Sequence, residues 1–194
     1  MKITKTLYVK DRKAWRKWLV KNHSRKNEIW LIYYKKSSGK KRISYDAAVE
    51  EALCYGWIDS IAKSIDNERY VQRFSKRKPT SGLSQMNLER VRRLISLGKM
   101  TKAGLAAINH VFNPGKDRAQ AFQVPAGILK ALKSDRAAWR NFQKLPLAYR
   151  RVRIAFIESR KRHGMAQYRR SLKHFIEMTA KNKRFGFIRP DLRS

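Results

Sequence analysis

The chain has 194 residues, with 47 Lys and Arg against 14 Asp and Glu, so its formal net charge at pH 7 is +33. Hydrophobic residues make up 42% of the sequence, which excludes a wholly disordered chain, and a single cysteine, Cys54, excludes an internal disulfide and a cysteine-rich zinc site. The first residues lack the apolar run of a signal peptide, and no apolar stretch approaches the roughly 20 residues that span a bilayer, so we expect a cytoplasmic protein.

The amino-terminal part of the chain predicts alternating strands and helices. Ile3–Val9 alternates weakly between apolar and polar residues, and Asp11 is a suitable N-cap for the following helix, which carries Trp15 and Leu19 at helical spacing. Glu28–Lys35 is rich in aromatic and β-branched residues and predicts a strand that ends at a glycine turn.

The central part of the chain predicts a helix followed by two paired strands. Ser44 is the expected N-cap of a helix through Cys54, with a buried stripe formed by Tyr45, Val49 and Leu53. Trp57–Ile65 and Arg69–Ser75 then predict two strands joined by a tight turn.

Beyond Pro79 the pattern predicts helices, with starts near Ser84, Thr101, Ala126, Ser134, Pro146 and His163. The helix from Pro146 should bury Tyr149, Val152 and Phe156. The expected fold class is therefore α+β, a small, mostly antiparallel sheet with packed helices followed by a C-terminal helical extension. The expected organisation is an α+β core over 1–112, a linker over 113–127, the helical extension over 128–182 and a mobile tail over 183–194.

One acidic segment interrupts this basic sequence, because residues 44–68 carry six acidic side chains and one basic side chain. Asp46 and Glu50 share a helix face, as a general acid and base pair or a metal site would require. The alternative is that these acids form ion pairs with the basic segments on either side, and we favour it. The four histidines are scattered and no cofactor fingerprint is present, so we expect neither a metal nor a cofactor.

The strand and loop from Arg69 to Lys78 hold five cations and two aromatic rings. Alternation places Arg69, Val71 and Arg73 on one strand face and Tyr70, Gln72 and Phe74 on the other. Arginines near ring faces suit phosphate binding and base stacking. A solvated strand face with the aromatic rings in the core explains the pattern equally well.

The C-terminal helices carry further cations. Those at 150–153 and 169–173 should lie opposite the apolar stripes and form an outer surface that binds polyanions without sequence preference. No named nucleic-acid module accompanies them. The residues of this expected nucleic-acid surface are Arg150, Arg151, Arg153, Arg169, Arg170 and Lys173.

The run SYDAAVEEALCYGWIDS at residues 44–60 resembles the signature of the YdeI/OmpD-associated (OmdA) family of bacteriocin-protection proteins. The resemblance extends over roughly residues 7–180, with Leu83 at a position where the family pattern has a tryptophan. It implies a role in bacteriocin protection or stress resistance, but it supplies no reaction and no catalytic residues. Sequestration of a cationic peptide fits poorly with a net charge of +33, because long-range repulsion opposes the encounter.

The leading hypothesis is a cytoplasmic, non-enzymatic protein that binds an anionic ligand at the helix-to-strand junction beside the motif. Two alternatives remain: non-specific nucleic-acid binding through the basic surface, and an enzyme that uses Asp59 or the Asp46 and Glu50 pair as a base. The expected ligand-binding residues are Trp57, Asp59, Ser60, Arg69, Tyr70, Arg73, Phe74, Arg77, Lys78 and Asn87.

Overall fold

The structure is a computed structural model that describes residues 2–117 and 122–186. The chain divides into two units, of which the first comprises residues 1–83 and 90–114 and the second residues 84–89 and 115–194. Part of the predicted linker, residues 118–121, and most of the predicted tail, residues 187–194, lie outside the described residues.

The first unit contains a sheet with four strands within the described residues, in the order β1-β2-β4-β3. β1 runs parallel to β2, while β2 and β3 are both antiparallel to β4. The predicted α+β class with a mostly antiparallel sheet is thus confirmed. The strands are β1 (Thr6–Tyr8), β2 (Glu28–Tyr34), β3 (Trp57–Ser64) and β4 (Arg69–Lys76).

Strand register assigns the side chains to two faces of the sheet. Ile29 pairs with Phe74 and Leu31 with Gln72, so these residues share one face, while Arg73 lies opposite Trp30 on the other face. The first face carries the larger apolar cluster, in which Leu31 and Phe74 pack with residues of the helices at 12–22 (α1) and 45–54 (α2).

Helices of the first unit begin at the predicted caps. The side chains of Asp11, Ser44 and Thr101 each accept a hydrogen bond from a backbone N–H in the first turn of the helix that follows. Tyr45 is 43% exposed and not buried as predicted, because it lies in the first turn of α2 and its hydroxyl binds Asp59. The helices up to the boundary between the units are α1 (Arg12–Asn22), α2 (Tyr45–Cys54), α3 (Gln85–Ser96), α4 (Lys102–Ala106) and the short α5 (Pro114–Asp117). Residues 90–96 of α3 belong to the first unit, and α5 begins inside the predicted linker with its residues 115–117 in the second unit.

Two carboxylates of α2 are buried and ion-paired. Glu50 is fully buried and binds Arg12 of α1, at 2.5 Å, and Arg93 of α3. Glu51 is 1% exposed and binds Arg12 and Arg16 at 3.1 and 2.7 Å. The interpretation of the acidic helix as the ion-pairing partner of its basic neighbours is confirmed.

The second unit is helical and has its own apolar cluster, which includes Leu132, Phe142, Tyr149 and Phe175. None of the helices in the described part of the chain is long and apolar enough to cross a membrane. Besides residues 85–89 of α3, the unit contains α6 (Ala126–Lys133), α7 (Arg136–Lys144), α8 (Leu147–Ser159) and α9 (Met165–Ala180).

The buried face of α8 differs from the prediction. Phe156 is 42% exposed, whereas Arg153, expected on the outer surface, is only 7% exposed. The physical reason is helical spacing, since Arg153 stands four residues from both Tyr149 and Ile157, which are buried. After α9 the chain folds back onto α8, where the Phe185 N–H donates to the Tyr149 hydroxyl at 3.1 Å.

The ion pairs of α2 lead to a stability prediction. Replacing Glu50 with alanine removes a buried carboxylate that the guanidinium groups of Arg12 and Arg93 share, so we expect a loss of about 3 kcal/mol in the free energy of unfolding. The control is Glu68→Ala, because Glu68 is exposed and the change should stay within about 0.5 kcal/mol. Urea unfolding followed by circular dichroism measures both, and equal stabilities would contradict the structural role of Glu50.

Candidate functional site

Two of the three aromatic side chains of the expected ligand site lie in the core. Trp57 and Phe74 have no exposed surface. The indole N–H of Trp57 donates to the carbonyl of His23 at 3.1 Å, and its ring packs edge-on against Trp18. Phe74 packs against Trp15 in the same cluster. Neither ring presents a face to a ligand in this structure.

The two arginines of β4 lie on the opposite sheet face and are ion-paired. Arg69 binds Asp66 at 2.6 Å, and Arg73 binds Glu28 at 2.5 Å. Hydrogen bonds from Thr4 and then Arg73 hold the pKa of Glu28 below its ordinary value. The structure therefore does not bring Trp57, Arg69 and Arg73 together around one hollow.

The remaining cations of this set have other positions. Arg77 is 8% exposed and donates to the carbonyl groups of Ser81 and Gly82, so it closes the loop after β4. Burial lowers the pKa of Arg77 from its ordinary value. Lys78 is exposed, and Asn87 belongs to the second unit.

Asp59 and Ser60 lie at the irregularity of the β3–β4 ladder, whereas Tyr70 pairs with Ser64 at the end near the hairpin turn. The Asp59 carboxylate accepts a hydrogen bond of 2.6 Å from the Tyr45 hydroxyl, and burial together with this bond raises the pKa of Tyr45. Tyr70 stacks on the ring of Tyr33 with centroids 5.1 Å apart, and the Ser60 hydroxyl accepts from Arg73 at 3.3 Å. A catalytic role for Asp59 stays a prediction.

The expected nucleic-acid surface divides into exposed and covered cations. Arg169, Arg170 and Lys173 of α9 are exposed. On α8, Arg150 lies over the Phe142 ring and Arg151 lies 3.9 Å from Glu89, while Arg153 is buried. The outer surface predicted for residues 150–153 is therefore wrong at Arg153, because this side chain belongs to the buried stripe of α8.

The second unit contains a cavity of about 880 Å³ between α8, α9 and the first turn of α3. All of its lining residues belong to this unit. Most of the lining is apolar, and its basic side chains are Arg153, Arg162, Arg170 and His174. The apolar lining comes from Met86, Val152, Ala155, Phe156 and Phe185.

Arg153 is the buried charge of this cavity. Its guanidinium carbon lies 4.0 Å from the ring centroid of Phe185 and 5.0 Å from that of Phe156. Its Nε is buried without a hydrogen-bond partner, and no carboxylate within the described residues pairs with it. Burial lowers its pKa from the ordinary value. Arg153 is therefore a desolvated cation whose charge contacts two aromatic rings.

The sequence interpretation missed Phe156, His174 and Phe185 as site residues. For α8 the signal was present, since Arg153 has helical spacing to Tyr149 and Ile157. For Phe185 no local pattern predicts that the chain after α9 returns to α8. Its ring lies 4.6 Å from His174, centroid to centroid, and so completes one wall.

Metal ligands are not grouped in the described ranges 2–117 and 122–186, where no three His, Cys, Asp or Glu side chains could hold an ion. Asp46, considered above with Glu50, binds Arg90 at 2.5 Å. The cavity of the second unit is therefore the site that we consider for function.

Two family models match the chain. The model described as a domain of unknown function (DUF8412) matches residues 7–107, more than half of the chain, and the model described as "Bacteriocin-protection, YdeI or OmpD-Associated" (OmdA) matches residues 121–182. The second match supports the OmdA resemblance over the helical unit, while the motif at 44–60 lies inside the first match. No curated protein and no solved structure matches the chain.

The single cysteine lies at the end of α2, away from any exposed surface. Cys54 is fully buried and is not disulfide-bonded. Burial, reinforced by the nearby charge of Glu51, raises the pKa of its thiol to about 11. Because the thiolate is the reactive form, Cys54 is a poor nucleophile in the folded protein.

We therefore predict that Cys54 resists thiol reagents. At pH 8 a pKa near 11 reduces the thiolate fraction about 100-fold relative to a thiol at 9.0, and burial slows access further. Labelling with Ellman's reagent should be at least 100-fold slower in the native protein than in guanidinium chloride. Equal rates in the two states would contradict the buried position of the thiol.

Proposed function

The chain belongs to the DUF8412 family and carries an OmdA-type region of poorly defined function, and from this premise we propose that it is a non-enzymatic protein that binds a small organic anion. The binding site in this proposal is the cavity of the second unit. The observation that carries the proposal is Arg153, a buried guanidinium that lines the cavity with no carboxylate partner among the described residues.

Physical chemistry supports a ligand at this position. A buried charge without a counterion is costly, and a guanidinium offers a fork of donors that matches a carboxylate or phosphate. The rings of Phe156 and Phe185 offset part of this cost by cation–π contact, but they leave the Nε without a hydrogen bond. An anion that enters the cavity would supply both the charge and the acceptors.

The size of the cavity supports a small molecule as the ligand. About 880 Å³ falls within the range of ordinary small-molecule sites, roughly 300–1,000 Å³. Cytoplasmic location is part of the proposal, since the single buried thiol of Cys54 needs no oxidising compartment.

The direct test replaces Arg153 by methionine, which keeps the length and apolar stem but removes the charge. Benzoate at matched ionic strength should raise the Tm of the wild-type protein, whereas Arg153→Met should lose at least tenfold in affinity for benzoate. Without ligand the variant should be as stable as the wild type or about 1 kcal/mol more stable, because an unpaired buried charge is removed.

The matched control is Arg140→Met in α7, because Arg140 is exposed in the same unit and does not line the cavity. It removes the same net charge and should leave anion binding unchanged. Equal binding by the Arg153 and Arg140 variants, measured by calorimetry, would overturn the proposal.

Nucleic-acid binding is the second candidate function. Arg169 and Lys173 are exposed and one helical turn apart on α9, and no carboxylate in the described part of the chain pairs with Arg169. Lys173 lies 4.0 Å from Glu177 in an exposed contact, which is worth little in water. With a net charge of +33 the chain attracts polyanions at long range.

For this candidate we predict a strong effect of the double reversal Arg169→Glu with Lys173→Glu. Neither residue lines the cavity. The slope of log affinity against log salt concentration for duplex DNA is negative, and the double variant should reduce its magnitude by about two, because each lost phosphate contact accounts for about 0.9 of the slope. Arg153→Met should leave DNA binding unchanged, and a double variant with wild-type affinity and slope would exclude this surface.

A further inference from the structure

The lining of the cavity in the second unit combines one buried guanidinium, Arg153, with apolar side chains. Resting on the proposed function, we infer that its ligand is an amphipathic carboxylate, with one anionic head at Arg153 and a hydrocarbon body against the walls. A small inorganic anion would use only the guanidinium and would leave the apolar lining in contact with water.

The head group follows from the geometry of Arg153. This side chain is the one buried cation among the described lining residues, while Arg162, Arg170 and His174 are exposed. A single guanidinium matches a singly charged carboxylate through two parallel hydrogen bonds. A dianionic phosphate would need a second desolvated cation, and the described lining contains none.

The body of the ligand follows from the walls. Met86 of α3, Val152 and Ala155 of α8, and the rings of Phe156 and Phe185 supply the apolar surface of the cavity, which is also lined by Ser84, Gln85, Ser159 and Ser171. Each methylene buried against such surface contributes about fourfold in affinity. Chain length should therefore determine affinity until the cavity is filled.

The backbone after α9 supports this assignment by restricting the head-group end. A Cβ at Gly186 would lie 2.8 Å from Nη1 of Arg153, so the backbone there packs closely on the guanidinium. A large polar head would have to displace this segment, whereas a planar carboxylate needs little space beside the guanidinium.

The test is a calorimetric series of acetate, hexanoate and decanoate at matched ionic strength, with decanol and inorganic phosphate as probes of each half of the ligand. Affinity should rise about fourfold per methylene from acetate to decanoate, with one site per chain. Arg153→Met should lose at least tenfold for decanoate and leave decanol unchanged.

A second variant tests the walls separately from the charge. Met86→Ala should weaken decanoate several-fold and leave acetate unchanged, whereas Met165→Ala, at an exposed position of α9 outside the cavity, should affect neither. Both variants keep Arg153, so they preserve the head-group contact.

The outcomes separate this inference from the proposed function. If acetate or phosphate binds at Arg153 as tightly as decanoate, the amphipathic assignment is overturned and anion binding stands. If no anion binds in an Arg153-dependent way, the proposed function fails as well. If decanoate binds equally to wild type and Arg153→Met, the cavity accepts hydrocarbon without the head group, which also overturns the inference.

Discussion

The packing of helices in the first unit depends on two buried carboxylates of α2, Glu50 and Glu51. Two carboxylates with almost no exposed surface are stable only with cations beside them, so the guanidinium groups of Arg12, Arg16 and Arg93 must lie against α2. This requirement fixes α1 and the second half of α3 around α2, and α2 in turn covers one face of the sheet. The acidic helix α2 therefore has a structural role. Glu50 and Asp46 are both ion-paired, so they do not form a free carboxylate pair for acid–base chemistry.

A shortage of carboxylates explains how the buried arginines differ. With 14 acidic against 47 basic side chains, most cations must remain in water or find a neutral partner. Arg77 donates from one guanidinium nitrogen to two carbonyl oxygens of its own loop, although its Nε has no partner, so its role is structural. Arg153 uses aromatic rings, which interact with its charge but accept few of its hydrogen bonds. The second arrangement places the guanidinium in the lining of a cavity, and this difference from Arg77 supports the proposed ligand site at Arg153.

The sequence predicts the elements of this fold well because their signals are local. Caps such as Asp11 and Ser44 and the aromatic content of β2 identify helices and strands without tertiary information. The expected site combined Trp57 with Arg73, although the strand register places these two residues on different faces of the sheet. The same register includes an irregularity between Asp59 and Ala62, which no local sequence pattern shows. Arg153 could be placed on the buried stripe by spacing, but its partner Phe185 depends on a return of the chain that only tertiary packing determines.

Net charge cannot by itself select a ligand for this protein, because a net charge of +33 attracts anions of every kind at long range. Exposed cations such as Arg169 are screened by salt over about 8 Å, so their attraction weakens at physiological ionic strength. Arg153 is shielded from that screening by the same residues that exclude water from it. Discrimination must therefore come from what accompanies the negative charge into the cavity. A small hydrated ion gains nothing from the apolar lining of the cavity. An anion with a hydrocarbon body gains from both the charge and the walls, so the residues that bury Arg153 also determine which anions can reach it.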